Sequence, residues 1–271
     1  MKETFSLEKW RAIGWSSPFW ELVRFYCSLR GKEQKEFIQE LRDKKKKEDK
    51  WWTLLGLSDE IANSVVEYID ERNRLIPVAL QSLRTEEEAI AYCKSIDVKW
   101  KLTKTKSKDH HQSTKTLIAT VTSIAELVCE EYKESIDPNP QRRCVWYIDN
   151  QLHITARNLD GAIPALRDPY AVWEIKEYWG KTGGGSKMSD AVYECHLVGK
   201  EIREYEKRSK HKINHIVFLD GKEQWHARKS DLARFIDLHN QGLIDHLFIG
   251  KTIEKEWRIV LDKIVHNKKS H

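Results

Sequence analysis

The sequence predicts an α/β (α+β) protein: a central mixed β-sheet flanked by helices, preceded by a helical N-terminal region. Three observations predict it. Apolar residues recur at helical spacing from Leu7 through to about Ser95. Beyond Thr116, short runs of β-branched and aromatic residues alternate with longer amphipathic stretches. The order of those later elements (helix, three strands, helix, strand, helix, strand) suits a mixed sheet with helices packed on it.

In the first part, Leu7, Trp10 and Ile13, then Phe19, Leu22, Val23 and Tyr26, fall on helical faces. A stretch with Phe37, Ile38 and Leu41 runs out into Lys44 to Lys47, a solvated helix end that would add only salt-dependent, non-specific affinity for a polyanion. Asp59 is placed to cap a helix carrying Ile61, Val65, Val66, Tyr68 and Ile69, and Glu86 to Ser95 form one more amphipathic piece. Trp10, Trp15, Trp20, Trp51 and Trp52 could stack on bases, but their setting in helical segments assigns them to a core. No catalytic-looking cluster lies here, so residues 1–98 read as a helical accessory region. Residues 99–115 lack apolar periodicity. With Lys101, Lys104, Lys106 and Lys108 leading into Asp109-His110-His111, they read as a basic exposed loop or linker.

Residues 116–271 read as the core domain. Leu117, Ile118, Val121, Ile124, Ala125, Val128 and Cys129 form a helical face. Asp137-Pro138-Asn139-Pro140 reads as a turn, followed by strand signals at Cys144–Ile148 and Leu152–Ala156 around a hairpin turn at Asp149-Asn150. Ala171 to Lys176 is the next strand. Gly183-Gly184-Gly185-Ser186 opens a loop before a helix from about Ser189 to Glu206. Ile213–Leu219 is a buried strand, Ser230 is placed to cap a helix through Leu238, and Leu247–Ile249 forms a last strand before a terminal helix.

A chain of 271 residues with 11 Trp and 7 Phe can bury a full core, which argues against disorder. No apolar run approaches the ~20 residues of a membrane span, and the N-terminus lacks a leader pattern, so a cytoplasmic protein is expected. The 5 cysteines are scattered without Cys-x-x-Cys spacing, so neither a zinc knuckle nor a disulfide framework is suggested. A net charge of +5 permits polyanion binding without demanding it.

Chemistry concentrates at Glu174 and Lys176. Two apart in a strand, they project to one face, beside neighbours (Val172, Trp173, Ile175) that bury the strand. Charge is buried only when paired or metal-bound; alone, the two could be a local ion pair. A third acid shifts the balance: Asp160, in Asn158-Leu159-Asp160-Gly161, ends the preceding strand pattern and can meet Glu174 at one end of the sheet. Converging carboxylates repel, and a divalent cation relieves this; oxygen ligands without cysteine select Mg²⁺, with Mn²⁺ as substitute. A lysine beside that metal can polarise water and offset phosphate charge, which suits phosphodiester hydrolysis.

The set Asp160 … Glu174-Ile175-Lys176 resembles the signature of the PD-(D/E)xK nuclease superfamily, which includes most type II restriction endonucleases. The likeness covers roughly Thr116 to Gly250 and implies a restriction-endonuclease-like core. It implies that Asp160 and Glu174 ligate the metal and Lys176 orients the water. It also implies an acid from the first helix, Glu126 or Glu130, with Glu126 preferred. Leu159 stands where the family's proline commonly precedes the aspartate; Asp168-Pro169 reverses that order and is read as a turn.

Around this site, Lys181, Ser186 and Lys187 in the glycine-rich loop are read as DNA-phosphate contacts. The loop's Gly180-Lys181-Thr182 mimics the end of a P-loop, but Ile175 stands where its first glycine belongs, so nucleotide hydrolysis is not supported. Glu194 on the next helix is weighed as a site residue and set aside as solvated. Arg228 and Lys229, in a basic aromatic cluster from Gln224 read as a loop, are candidates to enter a DNA groove. The expectation is therefore a Mg²⁺-dependent deoxyribonuclease acting on double-stranded DNA as a type II site-specific endonuclease. It would be a homodimer, because cutting both strands needs two sites, with a cognate DNA methyltransferase in the same system. The alternatives are a repair or phage-defence nuclease on structured DNA or RNA, and a non-catalytic nucleic-acid-binding module.

Overall fold

The computed structural model describes residues 7–43, 58–103, 113–148, 150–180 and 185–269. The chain divides into two compact units: Met1–Pro77 with Asn240–Gly242, and Val78–His239 with Leu243–His271.

The first unit is helical. Helices α1 (Leu7–Ala12), α2 (Phe19–Ser28), α3 (Lys32–Asp43) and most of α4 (Asp59–Ser82) contribute Trp10, Phe19, Trp20, Leu22, Phe37, Leu41, Val65 and Tyr68 to one core. Tyr68 meets Trp10 and Trp20 edge-on at ring separations of 5.1 and 5.2 Å, the arrangement ring quadrupoles favour. Trp10 and Trp20 are therefore core residues. The Ser58 hydroxyl, rather than Asp59, caps α4 by accepting the Ile61 N–H at 3.2 Å. Lys44 to Lys47, Trp51 and Trp52 lie outside the described residues.

The second unit begins at Val78, ahead of the basic segment, and packing explains why. Helix α5 (Glu86–Ser95) places Ala89 in the same core as α6 (Thr116–Glu131). A reciprocal cap starts α5: Thr85 Oγ1 accepts the Glu88 N–H, and Glu88 accepts the Thr85 N–H. The flanks of the segment read as a linker pair with each other, Thr103 N–H donating to the Ser113 carbonyl and Lys115 N–H to that of Lys101. Lys104, Lys106, Lys108 and Asp109-His110-His111 lie outside the described residues.

Strands β1 (Asp137–Arg142), β2 (Val145–Ile148), β3 (Gln151–Ile154), β4 (Leu159–Ile163), β5 (Ala171–Glu177), β6 (Asn214–Asp220) and β7 (His246–Ile249) form two sheets. The larger is five-stranded, in the order β1-β4-β5-β6-β7; the β2–β3 hairpin stands apart as a second sheet. The pairs β1–β4 and β4–β5 are antiparallel, and β5–β6 and β6–β7 parallel, so the sheet is mixed. Asp137 to Pro140 is strand rather than turn: β1 is an edge strand, where a missing proline N–H faces no partner, and a register shift between Pro138 and Arg142 absorbs the irregularity. The hairpin expected to run into the main sheet is replaced there by β4, which carries Asp160.

On one face, Ala171, Trp173, Ile175, Ile216, Phe218 and Phe248 share a core with α6 and α10 (Lys251–Lys269). Each such buried side chain contributes about 1.5–3 kcal/mol. On the other, Leu159, Ala162 and Val172 pack with Val198, Ile202 and Tyr205 of α7 (Gly185–Ser209). Helix α7 starts at Gly185, ahead of Ser189. The expected loop at Gln224 to Arg228 is largely helix α8 (Lys222–Ala227), leading into α9 (Lys229–Asn240). Trp225 there is buried and donates to the Asp220 carbonyl at 3.1 Å, so it packs rather than stacks on a ligand. Gly161 lies mid-strand opposite Trp173, where a Cβ would sit 1.8 Å from the indole. Among the described residues no helix is long and apolar enough to cross a membrane.

Candidate active site

Strand alternation sorts β5: Trp173 and Ile175 join the α6 side, while Val172, Glu174 and Lys176 share the α7 side. Continuing the β4–β5 register by one residue sets Asp160 opposite Glu174 on that same face. The two strands are tied there, because the Ile175 N–H donates to Asp160 Oδ2 at 2.7 Å. Asp160 Oδ1 accepts from the side-chain amide of Gln141, which also donates to Asn139 Oδ1 at 2.8 Å. Asn139 and Gln141 both have positive φ in irregular β1, a conformation uncommon for such residues that is maintained beside the acid.

Glu174 is 2% exposed, and both its oxygens are engaged. Oε2 lies 3.0 Å from Lys176 Nζ and Oε1 lies 3.1 Å from His215 Nε2. Lys176 Nζ also donates to Glu194 Oε2 at 3.2 Å, and the other Glu194 oxygen pairs with the Arg157 guanidinium. Burial works to raise the Glu174 carboxyl, but Lys176 and then His215 outweigh it and hold it down at about 2. For Lys176, burial pulls the ammonium down while Glu174 foremost keeps it well above its ordinary value. Asp160 is raised, by burial before all else, despite the Ile175 N–H and Lys176. Cys195, fully buried behind the site, is pushed up by burial and by Glu174.

Gln141, Arg143, Arg157, Asn158, Asp160, Lys176, Tyr178 and Glu194 surround a cleft of about 410 Å³. Arg143 is exposed and, beyond its field on Glu201, makes no hydrogen bond or ion pair among the described residues. The cleft thus brings together Asp160 and Lys176, with Glu174 directly behind Lys176. Glu126 does not join them: it is exposed on α6 and lines a different cleft, with Lys99, Lys101 and Lys115; Glu130 is exposed as well. Ser186 and Lys187 are exposed on the first turn of α7, and Lys181 lies outside the described residues. Arg228 is engaged within the protein, donating to Asp231 at 2.9 Å and to Ser189 at 2.7 Å, while Lys229 is exposed. Asp168 is a loop residue with positive φ that accepts the Tyr147 N–H of β2 at 2.7 Å. Sequence reasoning set Glu194 aside and missed His215 and Gln141. For His215 the signal was a lone polar side chain inside an apolar strand.

Hard oxygen donors line this cleft, and Asp160 is a carboxylate whose charge its neighbours leave under-compensated. Among the described residues no group of three or more His, Cys, Asp or Glu forms a ready metal cage. Mg²⁺ needs none, since it binds through one or two carboxylates and keeps water and substrate oxygens for the rest. The residues present fit such an ion.

Fold and site together define an α+β domain in which two antiparallel strands and one helix gather carboxylates around a largely buried lysine. The chain belongs to the family described as Domain of unknown function (DUF7687), whose model matches residues 81–264. No curated protein and no solved structure matches it.

Proposed function

We propose that this protein is a Mg²⁺-dependent endonuclease that hydrolyses phosphodiester bonds of double-stranded DNA, a restriction-type enzyme on a restriction-endonuclease-like core. One observation carries the reading: Asp160, Glu174 and Lys176 come from two strands onto one face of the sheet, beside an open, polar cleft. Asp160 and Glu174, with Glu194 at the rim, would hold the ion. When bound, Mg²⁺ supplies a Lewis acid for the phosphoryl oxygen and a more acidic water. Lys176, fixed between two carboxylates and held protonated, cannot serve as a base. It instead offers N–H donors and positive charge to the water and to a phosphate oxygen. Arg143 and Arg157 face the same cleft, and guanidinium forks suit the flanking phosphates. Ser186 and Lys187 add polar and positive surface at the start of α7. Cutting both strands calls for two copies of the chain.

The test is supercoiled plasmid incubated with Mg²⁺, with Mn²⁺ and with chelator. Discrete fragments would mark sequence-specific cutting, and a smear would mark a nuclease of structured or unspecific DNA. Asp160→Asn and Glu174→Gln should abolish nicking while duplex binding in Ca²⁺ persists. Full activity in both variants would overturn the proposal. A second reading, a non-catalytic nucleic-acid-binding module, is favoured by the complete pairing of Glu174 with His215 and Lys176. It requires wild-type protein that binds duplex DNA and never cuts it in any divalent metal.

A further inference from the structure

Between its ends β6 is apolar except for one residue, His215, which is fully buried. In the parallel β5–β6 register His215 stands beside Val172, two residues before Glu174. Three anchors fix it. Its N–H donates to Asp245 Oδ2 at 2.8 Å, ring Nδ1 meets the Leu243 carbonyl at 2.8 Å, and Nε2 meets Glu174 Oε1 at 3.1 Å. The Leu243 carbonyl and the ionised Glu174 carboxylate can both only accept, so each contact is made by a ring N–H donor, and together the two set the ring orientation. Asp245 is itself held by Arg203 at 2.5 Å and Lys212 at 2.9 Å, so the backbone anchor does not drift.

An imidazole buried in an apolar strand costs free energy unless it is hydrogen-bonded, and Val217 shows that an aliphatic residue fits two positions on. We infer that His215 is a positioning residue for the proposed metal chemistry. It clamps one carboxylate oxygen of Glu174 and thereby fixes the direction in which the other is presented towards Lys176 and the cleft. The inference rests on the nuclease reading. Partners of this kind, which orient a ligand without touching the ion, typically matter by about 10–100-fold in metal affinity or activity.

Two substitutions separate positioning from packing. His215→Leu keeps the volume and removes the donor; His215→Gln places an amide N–H near the position of Nε2. The readouts are Mn²⁺ affinity by titration calorimetry without DNA, kcat and KM on plasmid, and the thermal midpoint. His215→Leu should weaken Mn²⁺ binding or lower kcat by about 10–100-fold with KM for DNA unchanged, and His215→Gln should recover most of that loss. A folded His215→Leu protein with wild-type Mn²⁺ affinity and kcat overturns the inference, whatever its midpoint. Should His215→Leu fail to fold, His215→Asn, whose shorter amide cannot reach Glu174, takes its place under the same criteria. Wild-type protein that neither binds Mn²⁺ nor cuts DNA sinks the nuclease reading itself, and the inference with it, before any variant is made.

Discussion

Lys176 is the residue on which the site turns: only 11% of its side chain is exposed, and it bridges Glu174 and Glu194. Lys176→Met keeps the stem and removes every donor. If Lys176 stabilises charge on the phosphate, single-turnover cleavage should fall by about 100- to 1,000-fold, the usual loss for one preorganised donor. The same change leaves Glu174 without its cation, so the urea midpoint should drop as well, by an amount equivalent to about 3–5 kcal/mol. Unaltered cleavage in a folded Lys176→Met protein would remove lysine from the mechanism. At this scale the sequence was partly legible. Period-two spacing put Glu174 and Lys176 on one face, and the end of a strand pattern pointed to Asp160. Gln141 carried no local signal, and the lone polar His215 in an apolar strand could not be assigned a role, because those roles depend on a register shift and a parallel pairing between segments far apart in the chain.

Elements were harder to read than residues where local signals oppose tertiary context. Asp-Pro-Asn-Pro is strong turn chemistry, yet β1 survives as an edge strand because prolines cost little where no neighbour needs their N–H. Strand β4 is short and contains Asp160 and Gly161, both poor strand formers, and it is held by pairing on both sides. Gly161 is kept there by the Trp173 indole, so Gly161→Ala should destabilise by about 1–3 kcal/mol or more and displace β4 from β5. Loss of cleavage in parallel with the shift in midpoint would tie catalysis to that pairing; a neutral substitution would refute the packing account. The start of the sheet-bearing unit depends on a contact no local pattern announces. Buried Arg84 donates to Asp220 at 2.6 Å and to Glu254 at 2.9 Å. Asp220→Ala leaves that buried guanidinium only Glu254 at the edge of the site and should cost about 3–5 kcal/mol in urea unfolding, against little change if the pair were dispensable.

For the molecule as a whole, buried acids pull the pH profile in opposite directions. Glu174 and Asp245 are held at about 2, burial being outweighed by Lys176 and His215 in the one and by Arg203 and Lys212 in the other. Their stability contribution is present above the ordinary carboxylate range and is lost as pH falls towards about 2. Glu177 is raised to about 7 by burial, although the Leu117 N–H, Trp179 and Thr116 all donate to it. The folded state binds its proton more tightly than the unfolded one, so stability falls as pH rises from the ordinary range to about 7, by ~3 kcal/mol. Glu177→Gln should flatten that slope in urea melts between about pH 5 and pH 8, and an unchanged slope would place its origin elsewhere. Duplex binding should weaken with salt, and Arg143→Ala should reduce the slope of log affinity against log salt by about 1. The central claim is metal-dependent phosphodiester hydrolysis at Asp160, Glu174 and Lys176. Its most direct measurement is plasmid cleavage by wild type and Glu174→Gln side by side in Mg²⁺, with folding of both checked by circular dichroism. Cleavage by the wild type alone is what the account predicts; equal cleavage by both proteins, or by neither, would contradict it.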